Sequence, residues 1–582
     1  MELTRLFDLI PYQIQKFNKE IAFSRKEEGV WKTYSSKEVQ DIIDELSLGF
    51  LAQGIQAGEK VAIISENRPE WNFIDLACQQ IGVISVPMYP TITVADYSYI
   101  FDHAEVKVIF AGDQTIYDKA LQAGNGRKIY TFDRLPEVAH WTEVQVAGKP
   151  GDRASLANHK ANVKPEDLFT IIYTSGTTGR PKGVMLNHAN VLSNLMSVSH
   201  IMSPPVGTSK VLSFLPLCHI FERTASFCFV YMGYSIYYAE NMETIGDNLK
   251  EVQPHLFNTV PRLLEKVYDK IVAKGYELTG VKKKLFFWAL ELGLRNDPAA
   301  DMGGWYDFQL KIANKLIFSK WREALGGNIQ QINSGASALQ PRLARVFWAA
   351  GIRVCEGYGL TETSPVVTAS IGTKEEIRIG YVGKIVKDVE VKIAEDGEIL
   401  VKGPNIMQGY YKEPEMTADV IKDGWFHTGD IGIFVDGKYL KITDRKKEIF
   451  KTSGGKYVAP QLVENKLKES SFIEQCMVTG EGQKFPSALI IPEFTALGVW
   501  CKQQEINANS PQEMIANKRV IAKLEEEVLM TMASVAQYEQ VKKFVLLPRL
   551  FTISDGEITP TLKLKRKQIY AKHEAAILEL YK

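Results

Sequence analysis

Residues 168–173 are apolar and β-prone, and they run directly into Thr174-Ser175-Gly176-Thr177-Thr178-Gly179-Arg180-Pro181-Lys182-Gly183. A strand feeding a loop of hydroxyls and glycines narrows what the surrounding chain can be. A polyphosphate needs backbone N–H groups that approach closely because glycine lacks a Cβ, hydroxyl donors, and a cation. Thr174, Ser175, Thr177 and Thr178 are the hydroxyls, Gly176, Gly179 and Gly183 the hinges, and Lys182 the charge. In the common P-loop the lysine follows a glycine and precedes Ser or Thr, whereas Lys182 lies between Pro181 and Gly183. The plainer alternative is a flexible polar turn.

The 582 residues exceed one compact core, and roughly two to four structural units are expected. Lys+Arg and Asp+Glu balance at 69 each, so no global field draws nucleic acid or an anionic membrane. The six cysteines form no CxxC pair, which fits reduced thiols in a cytoplasmic protein. Residues 1–8 lack the basic start and apolar core of a signal peptide. No apolar run approaches the ~20 residues that span a bilayer.

Amphipathic stretches alternate with short β-branched runs over residues 36–115. Helical periods at 39–51 and 71–80 flank strand-like runs at 60–65, 83–87 and 106–110, and further strands follow at 211–215 and 329–333. That rhythm predicts βα units on a largely parallel sheet. Residues 261–325 read as mostly helical. Beyond Gly380, short strands and glycine turns at 389–393, 396–401 and 436–442 predict small antiparallel sheets. A charged segment, Asp444-Arg445-Lys446-Lys447-Glu448, then marks the boundary to a smaller α+β domain of about 140 residues.

Three further motifs suit a nucleotide. In Gly357-Tyr358-Gly359-Leu360-Thr361-Glu362, Tyr358 could stack on a base, and Glu362 is the hard oxygen ligand Mg²⁺ prefers beside phosphates. As a dinucleotide fingerprint the motif fails, because Glu362 occupies the third glycine position. Asp430, ending Trp425-Phe426-His427-Thr428-Gly429-Asp430, could accept both ribose hydroxyls or simply cap a β-turn. His219 follows an apolar strand, and such a histidine is as readily a satisfied core residue. No Cys/His cluster near it suggests a transition metal. The run Thr559 to Lys567 reads as a basic, solvated loop without the aromatics of a nucleic-acid surface.

In this order and spacing the motifs resemble the AMP-forming acyl-adenylate synthetase superfamily. The likeness runs from about residue 10 to 572, and Leu215 to Arg223, Val260 to Tyr268 and Asp444 to Pro460 look most like long-chain fatty acid–CoA ligases. The resemblance implies a large N-terminal α/β domain (1–443) of stacked subdomains with a barrel-like antiparallel region and a helical insertion near 262–325. A mobile α+β domain (444–582) follows, hinged at Asp444. It implies that Thr174 to Lys182 hold the β- and γ-phosphates, with Thr174 and Glu362 serving Mg²⁺. Gly335, Ala336 and Tyr358 would flank adenine, and Thr361 the α-phosphate. Asp430, supported by Arg445, would take the ribose. Lys563 matches the lysine bridging the acyl carboxylate and the α-phosphate. Leu562 stands before it where small-acid relatives have glycine, as in long-chain members.

The implied reaction is ATP plus fatty acid plus CoA giving acyl-CoA, AMP and diphosphate through an acyl-adenylate, a ligase reaction that forms a carbon–sulfur bond. Two anions must meet, so Mg²⁺, Lys563 and His219 are candidates to offset developing charge. Rotation of the small domain would then bring Gly454-Gly455 to the CoA side. The aromatic segment Phe227 to Tyr238 could line an acyl tunnel or serve as core. The basic, aromatic stretch Val281 to Leu290 suits the inner face of a membrane or packing on the large domain. A homodimer fits as well. The alternatives are an acyl-AMP ligase loading a carrier protein, a luciferase-type oxygenase and a catalytically silent nucleotide-binding regulator.

Overall fold

The computed structural model describes residues 2–174, 180–559 and 563–582. The β-branched runs of the first third enter a seven-stranded sheet ordered Gly409–Tyr410, Lys182–Asn187, Leu168–Thr174, Ile84–Met88, Lys60–Ile64, Val106–Ala111 and Lys128–Thr131. From Leu168–Thr174 to Lys128–Thr131 every pair is parallel. Helices Ser36–Ala52, Pro69–Gln80, Val94–His103 and Gln114–Ala123 intervene along the chain. The strands expected at 60–65, 83–87 and 106–110 thus form, with boundaries shifted by a residue or so.

A second sheet has nine strands: Lys384–Ile385, Val366–Ala369, Arg353–Gly359, Gln331–Ser334, Leu256–Thr259, Lys210–Ser213, Ser235–Tyr238, Phe23–Glu27 and Val30–Tyr34. Its inner strands, Arg353–Gly359 to Phe23–Glu27, pair in parallel. The helices Pro261–Glu277, Gly280–Arg295, Gly304–Ala313 and Ser319–Ala324 fill the expected insertion. An antiparallel five-stranded sheet of Glu390–Ile393, Glu398–Lys402, Trp425–Val435, Ile421–Lys422 and Tyr439–Arg445 closes over Tyr358 and Val367.

Beyond residue 445 the chain builds its own interior. Phe450, Val458, Leu467, Ile490, Leu497 and Leu524 share one apolar cluster, and Met477, Leu489, Ile569 and Ile577 another, with no member from before residue 450. Among the described residues no helix is long and apolar enough to cross a membrane.

Two apolar segments, each open to two readings, resolve as core. Phe227, Phe229, Tyr234, Tyr237 and Tyr238 are buried core side chains, and none lines the central cleft. In Val281 to Leu290, Phe286, Ala289 and Leu290 are buried and Phe287 and Trp288 pack against the same core. The aromatics of that helix therefore face inward, leaving its lysines and Val281 outside.

The helix Ile220–Tyr231 lies between the two large sheets, and Arg223 pins it there. Its guanidinium and the Asp75 carboxylate are both fully buried. Nε donates to Asp75 Oδ2 (3.2 Å), Nη1 to Thr170 Oγ1 (2.7 Å) and Nη2 to Ser85 Oγ (2.8 Å). The Trp71 and Phe169 rings cover its faces at 5.3 and 4.8 Å, a packing that suits a planar, weakly hydrated cation. Removing one partner strands the other charge in a dry interior. Asp75→Ala should therefore destabilise the large domain by about 3–5 kcal/mol in chemical denaturation. Arg223→Met with Asp75→Leu, which leaves no charge stranded, should recover much of that loss.

Candidate active site

One cleft of about 2760 Å³ runs between the sheets and the C-terminal domain. Its polar wall begins at the hairpin Leu168–Thr174/Lys182–Asn187, where Thr174 pairs with Lys182 in register. Ser175, Gly176, Thr177, Thr178 and Gly179, expected to cradle phosphate, lie outside the described residues. Lys182 faces the cleft with its ammonium 5.0 Å from the Tyr410 ring centroid. Burial lowers its pKa below the usual lysine value, while the Glu362 carboxylate pulls the other way. The Tyr410 hydroxyl donates to Glu362 Oε1 at 2.9 Å, so Tyr410 ties the hairpin's cation to the carboxylate of the 357–362 motif. No local motif marks Tyr410, because the contact depends on Gly409–Tyr410 joining the sheet edge beside Lys182–Asn187.

The strand Arg353–Gly359 carries the second motif. A Cβ on Gly359 would lie 1.7 Å from the Pro365 carbonyl oxygen, so the chain doubles back on itself only with glycine there. The turn Thr361–Thr363 then sets Thr361 and Glu362 on the cleft wall. Tyr358 is largely buried, and its hydroxyl donates to Asp430 Oδ2 at 2.7 Å. Burial, then the adjacent Asp430, raises its pKa far above the usual tyrosine value. Asp430 and Arg445 face each other across an antiparallel pair, with Arg445 Nε 3.0 Å from Asp430 Oδ1. Gly335, Ala336 and Gly357 line the same cleft.

Glu356, which the sequence reading passed over, also lines the cleft. Burial pushes its carboxyl up to about 8, although the Leu339 N–H bonds to it at 3.4 Å. It is therefore largely protonated at neutral pH. Glu222, three residues past His219, is pushed up to about 7 by burial and accepts from Ser213 (2.6 Å) and Asn258 (2.8 Å).

His219 caps the helix Ile220–Tyr231, its Nδ1 accepting the Phe221 N–H at 3.2 Å. Burial, and then the Lys563 ammonium, lower its pKa to about 4. The expectation that His219 offsets developing negative charge as a cation is thus corrected. The ring is neutral, and with Nδ1 accepting, Nε2 carries the proton, so His219 is a neutral donor.

Lys563 comes from the opposite domain. Its N–H donates to Thr559 Oγ1 (3.0 Å), and its carbonyl accepts from the Thr559 N–H (2.8 Å). The side chain is open to water within the cleft. Protein nevertheless surrounds it, and this burial, followed by Arg445, lowers its pKa while Asp430, Glu362 and Glu448 oppose the shift. The intervening Leu562 lies outside the described residues. The basic run itself breaks up: Arg566 bonds Glu464 through both Nη atoms at 2.7 Å and Glu448 at 3.1 Å, opening the helix Arg566–Glu579.

Three expected residues lie off the cleft wall. Asp444 is buried, its Oδ1 accepting the Arg445 N–H (2.5 Å). Burial pushes it up to about 6. Gly454 and Gly455 occupy an exposed turn between Phe450–Lys451 and Tyr457–Val458.

Residues 11–411 match the AMP-binding enzyme family and residues 447–582 the AMP-binding enzyme C-terminal domain. The chain belongs to the AMP-binding enzyme family. It is 32% identical to a long-chain-fatty-acid–CoA ligase of Mycobacterium bovis, over 96% of this chain and 94% of that one. Peroxisomal long chain acyl-CoA synthetase 6 of Arabidopsis thaliana is 34% identical over 95% of this chain and 82% of its own length. Among solved structures, the adenylation domain of a carboxylate reductase from Mycobacterium chelonae superposes with a TM-score of 0.76 at 21% identity, covering 99% of this chain and 91% of that one. O-succinylbenzoate CoA synthetase of Bacillus subtilis, complexed with ATP and magnesium, gives 0.67 at 19%, covering 96% and 98%.

Among the described residues no group of three His, Cys, Asp or Glu side chains could hold a metal. Glu362 and Thr174 offer hard oxygen donors on one wall, a set that fits Mg²⁺ arriving with phosphates, which carry most of its coordination.

Of the six histidines with lowered pKa, the two lowered furthest set an acid limit. His219 is held near 4, and fully buried His188, its Nδ1 accepting the Leu6 N–H, near 3. Both stay neutral in the folded chain while the unfolded chain protonates them near pH ~6.5. The contribution of these two histidines to stability should thus be full above that pH and fall as pH drops toward 4 and then 3. Denaturation midpoints measured across pH 4–8 check this, and His219→Asn should flatten the slope below pH ~6.5.

Proposed function

We propose that the chain is a long-chain fatty acid–CoA ligase that works through an acyl-adenylate. The observation that carries this reading is the meeting of Lys563, from the C-terminal domain, with His219, Glu362 and Asp430 in one cleft. The relatives at 30–34% identity across the sequence carry long-chain acyl-CoA ligase names. The Phe221, Ala225, Val260, Ile201 and Met202 side chains offer apolar wall beside His219. Each buried methylene contributes about 0.8 kcal/mol, so a long acyl chain gains most from it.

In the first half-reaction the fatty carboxylate attacks the α-phosphorus of ATP and diphosphate leaves. Lys563 reduces repulsion between the two anions, and the His219 Nε2–H donates to the carboxylate. Lys182, with Thr174 and the residues up to Gly179, takes the β- and γ-phosphates. Gly335, Ala336, Gly357 and Gly359 leave room for the nucleotide beside Tyr358, Asp430 with Arg445 takes the ribose, and Thr361 meets the α-phosphate. Mg²⁺, held by Glu362 and Thr174 with the phosphates, supplies charge neutralisation. In the second half-reaction the CoA thiolate attacks the acyl carbonyl and AMP leaves. Between the two half-reactions the unit beyond Asp444 turns about that residue, withdrawing Lys563 and bringing Gly454-Gly455 toward the thiol. No cysteine is required, and all six thiols are buried.

The test is diphosphate and acyl-CoA formation across fatty acids of increasing length. Thioester yield should rise with chain length, and Lys563→Ala should lower turnover by about 10²–10³, as expected for one preorganised charged donor. Diphosphate without acyl-CoA would instead indicate a carrier-protein thiol as acceptor, and neither product would overturn the reading.

We further propose that the helical insertion rests on a cytoplasmic membrane face. Its exposed apolar residues are Trp305 (71% exposed), Phe308, Ile312 and Leu316, spaced along one helix face beside Lys311 and Lys315. Aromatic anchors with flanking lysines fit an anionic interface. The protein should float with anionic vesicles, and Trp305→Asp with Phe308→Asp should abolish this. Flotation unchanged by the substitutions, or absent from the start, removes the contact. Sedimentation at two concentrations would show whether the same face instead joins two copies.

A further inference from the structure

Arg262 is the second residue of the helix Pro261–Glu277. A cation in the first helical turn opposes the macrodipole, so its presence there calls for compensating partners. Two carboxylates provide them. Glu265 of the same helix accepts from Nη1 at 3.1 Å, and Glu474, on the strand Ile473–Thr479 of the C-terminal domain, pairs with Nη2. Both side chains of that cross-domain pair are mostly shielded, at 25% and 16% exposure. Burial raises the pKa of Glu474, and Arg262 is the largest influence opposing it.

A second arginine reaches across the same gap. Arg342 Nη2 donates to the carbonyl of Lys468 at 3.3 Å, the residue capping the C-terminus of Pro460–Leu467. A cation there satisfies a carbonyl the helix leaves unpaired. The large domain holds both guanidinium groups in place beforehand. Gln340 Nε2 donates to Glu265 Oε1 (2.8 Å), Arg342 Nε donates to Gln340 Oε1 (2.7 Å), and the Arg342 guanidinium lies 5.2 Å from the Tyr268 ring centroid. The chain Arg262–Glu265–Gln340–Arg342 is therefore a rigid two-pronged dock.

We propose that Arg262, acting through Glu474, is a positioning residue: it seats the C-terminal domain in the orientation that puts Lys563 in the cleft beside His219. The dock is built of one charge pair and one arginine–carbonyl bond at a domain surface, and among the described residues no apolar cluster is shared across it, so it can open without exposing either interior. When it opens, Arg262 and Glu474 each regain water and Lys563 leaves. The dock thereby sets how the protein divides its time between the Lys563-in arrangement and any other. That this favours adenylate formation rests on the proposed ligase function.

The test separates the two half-reactions. Acyl-AMP formation is followed by diphosphate release in a single turnover without CoA, and thioester formation by supplying preformed acyl-AMP with CoA. Glu474→Gln and Arg262→Ala should each slow adenylation roughly three- to tenfold, the range open to a half-shielded charge pair. They should leave thioester formation from acyl-AMP unchanged or faster. The charge swap Arg262→Glu with Glu474→Arg should restore adenylation, which it would not do if Arg262 contacted substrate directly. A readout independent of activity uses spin labels at Lys311→Cys and Lys502→Cys, both exposed sites in a chain whose native thiols are all buried. The wild-type label distance should be narrow, and Glu474→Gln should add a second population. Equal slowing of both half-reactions, no rescue by the swap, or an unchanged distance distribution would each overturn the proposal. A wild type that forms no acyl-AMP would instead defeat the ligase reading, leaving the label distances to decide the dock.

Discussion

The cleft depends on one buried ion pair. Arg223 and Asp75 sit where the seven-stranded sheet, the nine-stranded sheet and the helix Ile220–Tyr231 converge. Desolvating two charges is costly, and apolar residues of the same volume would often serve stability as well. An apolar contact, however, tolerates sliding and rotation. A guanidinium whose donors are committed to Asp75, Thr170 and Ser85 tolerates little of either. The consequence falls one helical turn away, where the Arg223 N–H bonds to the His219 carbonyl. The helix start, the His219 ring and the Phe221 wall inherit their positions from that anchor.

With the frame fixed, Lys182, Arg445 and Lys563 face one cavity together with the carboxylates Glu362, Asp430 and Glu448. Each cation is restrained differently: Lys182 by the Tyr410 ring, Arg445 by Asp430, and Lys563 by backbone hydrogen bonds to Thr559. Restraint matters because a donor already aimed at the reacting centre need not reorganise as charge develops. The lowered pKa values of Lys182 and Lys563 express the same condition, since both ammonium groups have given up part of their hydration. A polyanion entering the cleft would restore that lost stabilisation.

Much of this was legible in the sequence, and the reasons are local. The βα rhythm of residues 36–115 is written in short-range periodicity, and the helices and strands formed close to where it placed them. The 357–362 motif is compact in sequence, and its turn Thr361–Thr363 directly follows the strand Arg353–Gly359 that carries it. Failures came where long-range packing decides. Phe227 to Tyr238 and the aromatics of 281–290 have the composition of a tunnel or an interfacial helix, and only the neighbouring sheet and helices turn them into core. His219 was read as a source of charge because residue type does not reveal burial or the nearness of Lys563, 344 residues downstream (563 less 219). Tyr410 and Arg262 were passed over because their partners, Glu362 and Glu474, are distant in sequence.

The same division between local and long-range interactions explains how the C-terminal unit can be both stable and separable. Its apolar clusters draw on residues from Phe450 onward, so its folding does not borrow core from the rest of the chain. Its Arg566 is satisfied internally by Glu448 and Glu464. Polar, directional contacts cross to the large domain: Arg262 to Glu474, Arg342 to the Lys468 carbonyl, Lys446 to Asp396 and Glu398 beside the hinge, and the field of Lys563 on His219. Apolar interfaces of any size would hold the two units together at a free-energy cost too large to release within a catalytic cycle. Charge pairs exchange protein partners for water at little net cost. An interface of this composition specifies one orientation sharply while leaving it reversible, and a lysine needed for only one of two reaction steps requires both properties.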